Sequence, residues 1–167
     1  MKLIIIGIDK TLQDSDADLK DLVAALTASE HVTLIGEEHL PSSISIAQQV
    51  AQSKGILWVQ IDMDTEQRWK VGIGEKLFGR TKIRYEADGT ITQLLRYAPK
   101  EDGIREDFWL DRIAEQQAEG TAVVICGALH ARKLSEKADR KGHDTRLLFH
   151  PELPGSQFWI SIMPELF

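Results

Sequence analysis

The chain has 167 residues, a formal net charge of −6 at pH 7 and one cysteine, and 43% of its residues are hydrophobic. This length indicates a single domain over residues 1–167 with a buried core. The acidic balance argues against nucleic acid or membrane as a partner, because both require clustered Lys and Arg. The single cysteine excludes an intrachain disulfide. No apolar stretch approaches the roughly 20 residues that cross a bilayer, so the cytoplasm is the expected compartment.

Three apolar runs share one arrangement, in which a glycine follows the run and a polar side chain lies three residues after the glycine. The runs are Leu3–Ile6, Val32–Ile35 and Val123–Cys126, the glycines are Gly7, Gly36 and Gly127, and the polar residues are Lys10, His39 and His130. Such β-branched runs indicate buried strands, and each glycine is expected at a sharp turn. If the strands are parallel, their loops open on one edge of the sheet. Open α/β sheets bind ligands at that edge.

The other predicted elements alternate along the chain. Helices are expected over Leu19–Leu26 behind a cap at Asp14–Asp16, over Ile44–Val50 behind Ser42 or Ser43 with Gly55 at its end, over Pro99–Gln117 and over Leu129–Lys141. Further strands are expected at Ile56–Ile61 and Thr145–Phe149, and a hairpin at Lys82–Glu86 and Thr90–Tyr97 around Asp88-Gly89. This order predicts an α/β fold with a mainly parallel sheet, helices on both faces and an inserted β-hairpin.

The C-terminal tail, residues 150–167, contains an apolar run at Phe158–Met163. We expect it to form an edge strand or a contact with a partner. An exposed edge strand would favour a homodimer or binding of another protein.

Glu37, Glu38 and His39 place two carboxylates and an imidazole at one strand exit. Carboxylate oxygen and imidazole nitrogen are ligands of divalent metals, and a Glu can also act as a general base. The alternative is that these are solvated loop residues, with Glu37 helping to cap a helix. His130 can similarly ligate a metal or move protons, or it can be a histidine bonded to backbone near a helix N-terminus.

Asp62 and Asp64 follow the third strand. They are candidates for metal ligation, or one of them can cap the next helix, which is the preferred interpretation. Arg105 and Glu106 lie early in the predicted long helix, where a cation is unfavourable for the helix dipole. Arg105 can therefore bind an anionic group or hold a carboxylate bidentately. It can equally be an exposed charge paired with Glu101.

These motifs together resemble the superfamily of TraB-like proteins, TIKI-type Wnt-cleaving proteases, ChaN-like and erythromycin-esterase-like proteins. Val123–His130 is similar to the family's late Gly-x-x-His strand, Ile104–Trp109 to its Arg-bearing helix, and Val32–His39 to the strand whose Glu faces the site. The resemblance implies an active site at the strand carboxyl edge, often metal-dependent, acting on peptide, ester or haem-type ligands. Lys10 departs from the pattern, because the TraB-like and TIKI-type branches have His at this position. An ammonium, unlike an imidazole, cannot ligate a metal while it is protonated.

The function that follows from this resemblance is hydrolysis of an ester or peptide bond, with a divalent metal of unspecified identity or none. Glu37, Glu38, Arg105 and His130 are the predicted catalytic residues, His39, His130 and Glu37 the metal ligands, and Lys10, Glu106 and Asp62 further pocket residues. A metal-free enzyme in which Glu37, Arg105 and His130 do acid–base work is a second interpretation. Lys10 paired with Glu37 or Glu38 would then hold the pocket together. A third is a non-catalytic binding or toxin-immunity protein that uses its tail.

Overall fold

This computed structural model describes residues 1–9, 12–38, 43–73, 80–85, 91–97, 99–116 and 119–150. The elements in chain order are β1 (Lys2–Ile8), α1 (Ala17–Ser29), β2 (Val32–Glu37), α2 (Ile46–Lys54), β3 (Leu57–Gln60), α3 (Thr65–Lys70), β4 (Arg80–Tyr85), β5 (Ile91–Tyr97), α4 (Pro99–Gln116), β6 (Thr121–Gly127), α5 (Ala128–Arg140) and β7 (Asp144–His150). Among the described residues, no helix combines the length and apolarity needed to cross a bilayer.

Five strands form one parallel sheet in the order β3-β2-β6-β1-β7. The predicted α/β fold with a parallel sheet is therefore confirmed. Strands β4 and β5 pair antiparallel in a separate two-stranded sheet. The predicted turn at Asp88-Gly89 lies outside the described residues, so the complete hairpin stays a prediction. Tail residues 151–167 also lie outside them.

Helices cover both faces of the sheet. On one face, α1 and α2 pack on strand residues such as Ile4, Ile35 and Val123. On the other, α4 and α5 pack on residues such as Leu34 and Val124. Neighbouring residues of each strand supply opposite faces because side chains alternate along an extended chain. The apolar runs are continuous because both faces are buried.

The chain leaves the adjacent strands β2 and β6 toward opposite faces of the sheet. After β2 it enters α2 on the first face, and after β6 it enters α5 on the second. Such a change of side opens a crevice at the carboxyl ends of the strands, where α/β proteins bind ligands. A ligand site is therefore expected at the carboxyl ends of β2 and β6, the edge that the sequence predicted.

Gly7 and Gly36 do not form the sharp turns that were expected of them. Both lie inside strands, and neither has positive φ. A Cβ on Gly7 would lie 2.8 Å from the Cβ of Ala131, and one on Gly36 would lie 2.9 Å from Cγ2 of Ile61. Glycine is required at these positions because neighbouring side chains approach the backbone closely.

The helix caps agree in part with the expectations. Asp16 caps α1, within the predicted cluster, and Gly55 ends α2 with a left-handed φ of 65°. Helix α2 is capped by Ser45, so the prediction of Ser42 or Ser43 is wrong. Asp64 caps α3 through a reciprocal capping box, which leaves Asp62 with another role.

Candidate functional site

Glu37 and Glu38 lie at the end of β2 but make contacts on different sides of the sheet. Glu37 is fully buried beside α2 and accepts hydrogen bonds from Gln13 (3.1 Å), Ser45 and Trp58 (2.9 Å). Glu38 is directed toward α4 and β6, because successive residues of a strand point to opposite faces. The two carboxylates therefore do not share one pocket.

Arg105 joins Glu38 to Asp62 inside the protein. Its Nε and Nη2 donate to Oδ1 and Oδ2 of Asp62 at 3.1 and 2.9 Å, and Nη2 also donates to Oε1 of Glu38. The side chain of Arg105 is only 5% exposed, so the alternative of a surface pair with Glu101 is wrong. The bidentate geometry is the expected use of a guanidinium fork. We call Glu38, Asp62 and Arg105 the central ion-pair cluster.

Asp62 has three further donors in addition to Arg105. They are Nη2 of Arg68 at 2.6 Å, the indole nitrogen of Trp109 at 3.1 Å and the backbone N–H of Met63 at 2.9 Å. Burial by itself raises the pKa of Asp62, but the hydrogen bonds and charges of Arg105 and Arg68 outweigh it and lower that pKa below its ordinary value. The expectation that one of the two aspartates caps the next helix is therefore met by Asp64, while Asp62 binds Arg105 and Arg68.

Glu38 also connects β2 to the start of α5. Its Oε2 accepts the backbone N–H of Gly127 at 2.9 Å, and its own N–H donates to the carbonyl of Ile125 at 2.8 Å. Gly127 has no side chain with which to cap α5. The Glu38 carboxylate thereby ties the end of β6 to the central ion-pair cluster, three residues before His130.

His130 lies between carboxylates on the first turns of α4. Its Nδ1 is 3.1 Å from Oε1 of Glu106, while its Nε2 is 3.4 Å from Nη1 of Arg105 and 4.0 Å from Oδ1 of Asp102. The imidazole also packs edge-on against Trp109, with ring centroids 5.1 Å apart. Since a carboxylate only accepts and a guanidinium only donates, we assign the neutral imidazole a proton on Nδ1 and a lone pair on Nε2.

Glu106 is fully buried and holds this imidazole in place. Its Oε2 has no hydrogen-bond partner within the described ranges, but Nζ of Lys137 lies 3.4 Å from it. Lys137 also donates to the carbonyl of Gly103 and pairs with Asp107. These contacts tie α4 to α5 beside His130.

Asp102 is a site residue that was not predicted from the sequence. Its Oδ1 lies 3.6 Å from Nη1 of Arg105, and its side chain is 26% exposed. Burial raises the pKa of Asp102, and the opposing charges of His130 and Arg105 only partly offset this. The sequence does contain a signal for Asp102, because its spacing places it on the helix face of the other site residues. The i, i+3, i+4, i+7 pattern is formed by Asp102, Arg105, Glu106 and Trp109.

The described residues do not fit the predicted metal centre. Between the carboxylates of Glu38 and Asp62, the guanidinium of Arg105 supplies the positive charge. No group of three or more His, Cys, Asp or Glu side chains in the described part of the chain is arranged to hold an ion. Glu37 and His130 contact different partners, on opposite sides of the sheet.

The site therefore brings together five of the predicted residues: Glu38, Asp62, Arg105, Glu106 and His130. Glu37 lies apart from them, while Lys10 and His39 lie outside the described residues. No protein-family model matches the chain, and no curated protein or solved structure matches it either. Function must therefore be inferred from the chemistry of these side chains.

Proposed function

We propose that the chain is a metal-independent hydrolase of ester or peptide bonds in which His130 is the general base. The observation that carries this proposal is the orientation of the imidazole. Nδ1 is held by the buried carboxylate of Glu106 at 3.1 Å, and Nε2 is turned toward Arg105 and Asp102. A histidine whose one nitrogen is fixed in this way keeps its other nitrogen for proton transfer.

The contact between Nε2 of His130 and Nη1 of Arg105 is weak enough to be exchanged. Its length of 3.4 Å exceeds the usual upper limit of about 3.2 Å for such hydrogen bonds. A water molecule or substrate group can therefore displace it. Arg105 stays in place because its Nε and Nη2 are held by Asp62 and Glu38.

Arg105 supplies positive charge at the same point. Burial alone lowers the pKa of a guanidinium, but the carboxylates of Asp62 and Glu38 outweigh this and raise the pKa of Arg105 above its ordinary value. A fixed cation of this kind can stabilise an oxyanion without reorganising. Nη1 is the nitrogen available for this role, since the other two bind the cluster carboxylates.

The reaction then needs only these groups and water. Nε2 of His130 takes a proton from water as the water oxygen bonds to the carbonyl carbon, and the carbonyl oxygen becomes an oxyanion beside Nη1 of Arg105. When the tetrahedral intermediate collapses, the bond to the leaving group breaks. The leaving alcohol or amine receives the proton from His130, which restores the starting state.

The resemblance stated from the sequence supports hydrolysis over other acid–base reactions. Its late Gly-x-x-His motif ends at His130, and its Arg-bearing helix supplies Arg105, and these two side chains meet in the site. Of the sequence-based interpretations the proposal selects the metal-free enzyme, because Arg105 supplies the positive charge between Glu38 and Asp62.

The test is turnover of p-nitrophenyl acetate, p-nitrophenyl butyrate and a panel of peptide p-nitroanilides by chelator-treated protein. We expect hydrolysis that survives chelation and whose kcat/KM falls by about 100-fold or more in His130→Ala. Glu106→Gln should also lower kcat, because only the amide oxygen, and not the NH2 group, can accept the Nδ1 proton and so fix the imidazole. His31→Ala is the matched control, because it removes an exposed imidazole outside the site and should leave kcat/KM unchanged.

Three results would count against this function. Equal activity in His130→Ala and His31→Ala would place the chemistry elsewhere. Activity lost on chelation and restored by a divalent ion would select the metal-dependent interpretation. Absence of turnover on every substrate would favour the non-catalytic binding protein, whose predicted contact lies in residues 150–167.

A further inference from the structure

We propose that Asp102 is a positioning residue that holds the attacking water together with His130. This inference rests on the proposed hydrolytic function and deepens it by naming a group that the sequence did not single out. Asp102 lies in the first turns of α4, one helical turn before Glu106, so it shares the helix face that meets α5.

The distance between the two polar atoms fits one shared water. Oδ1 of Asp102 and Nε2 of His130 are 4.0 Å apart, which is too far for a direct hydrogen bond. A water that makes hydrogen bonds of about 2.8 Å to both atoms has an angle of roughly 90° at its oxygen. Both protons of that water then point at acceptors, and its lone pairs are left for the substrate.

Solvent and charge at this gap agree with that role. The side chains of Asp102 and His130 are 26% and 12% exposed, whereas that of Arg105 is 5% exposed, so the gap lies on the solvent side of the central ion-pair cluster. Nη1 of Arg105 is 3.6 Å from the same oxygen of Asp102. The proposed oxyanion donor therefore lies beside the proposed water.

The charged groups that act on Asp102 come from both helices. Arg105 and Glu106 belong to α4, while His130 and Lys133 belong to α5. Arg105 and Lys133 are cations and favour a carboxylate there, while burial and Glu106 oppose it. The water needs only an acceptor oxygen there, and an amide oxygen can provide one as well.

The experiment compares Asp102→Ala and Asp102→Asn on p-nitrophenyl butyrate, or on whichever ester of the panel is turned over fastest. Asp102→Ala should lower kcat by roughly 10- to 100-fold with KM within about twofold, because the water loses its orientation. Asp102→Asn should keep kcat within about fivefold of the wild type, because its amide oxygen still accepts the water proton. Asp111→Ala is the matched control, since Asp111 is an exposed carboxylate on the same helix.

The outcomes separate this inference from the function on which it rests. If His130→Ala loses activity but Asp102→Ala keeps full kcat, the inference is overturned and the hydrolase proposal stands. If Asp102→Asn loses as much kcat as Asp102→Ala, Asp102 acts through its charge on Arg105, and the inference is again overturned. If the wild type is inactive, or His130→Ala matches it, both proposals fall. Thermal unfolding of each variant establishes that it is folded.

Discussion

Replacing Arg105 by Met should destabilise the fold severely. The guanidinium contacts two carboxylates that are nearly inaccessible to solvent, Glu38 and Asp62. Met is similar in length and apolar, so the variant removes the charge and the hydrogen bonds while it fills much of the space. The two carboxylates stay in an environment of low dielectric constant without this cation.

The expected loss is about 3–5 kcal/mol in the free energy of unfolding, the usual effect of removing one partner of a buried ion pair. That is a large part of the roughly 5–15 kcal/mol that stabilises a typical domain. Asp62 keeps the guanidinium of Arg68 at 2.6 Å, so we expect most of the loss to arise at Glu38. Adding Glu38→Gln to Arg105→Met should therefore recover roughly 1–3 kcal/mol.

Urea unfolding followed by far-UV circular dichroism of the wild type, both single variants and the double variant measures this coupling. A loss of less than about 1 kcal/mol in Arg105→Met would refute the reasoning. So would additivity of the two substitutions within about 0.5 kcal/mol, because residues that share a buried ion pair must couple.

Two further predictions concern pH and packing. Because the folded-state pKa of Asp62 is lowered, its ionised form stabilises the fold above pH about 4, and this contribution is lost as the pH falls through the lowered pKa. The stability gap between wild type and Asp62→Asn should therefore narrow in unfolding curves recorded from pH 5 down to pH 2, and a constant gap would contradict this. Gly7→Ala should cost about 1–3 kcal/mol because its Cβ would lie 2.8 Å from that of Ala131. In Gly103→Ala the new Cβ would meet only Nζ of Lys137, at 3.6 Å, so this substitution should instead stabilise α4 by up to about 1 kcal/mol. Equal melting temperatures for the Gly7→Ala and Gly103→Ala variants would contradict this prediction.

The three central strands β1, β2 and β6 were predictable because they are buried on both faces. A continuous β-branched run such as Thr121–Cys126 has no other simple interpretation, and the observed strand differs from it by one residue, Gly127. Helix α4 was likewise predicted from Pro99 to Gln117 and observed from Pro99 to Gln116. The turn role of Gly7 and Gly36 was wrong because close approach by a distant side chain leaves no local signal.

The site was only half predictable. Residue type and position single out His130, Arg105 and Glu38. The separation of Glu37 from Glu38 depends on strand alternation continuing one residue past the end of β2 at Glu37, which the sequence alone does not indicate. The partners of Arg105 lie 43 and 67 residues away along the chain. Their pairing depends on how α4 lies across the carboxyl ends of β2 and β3, and no local pattern encodes that placement.

The most direct test of the central claim is the protonation state of the two ring nitrogens of His130. Nitrogen NMR of the uniformly labelled protein, with His130→Ala for assignment, reports which nitrogen of the neutral imidazole carries the proton. The geometry predicts a proton on Nδ1, held by Glu106, and a lone pair on Nε2 facing Arg105 and Asp102. This preference should weaken in Glu106→Gln. A neutral His130 protonated on Nε2 would contradict the account, because no lone pair would then face the gap between His130 and Asp102.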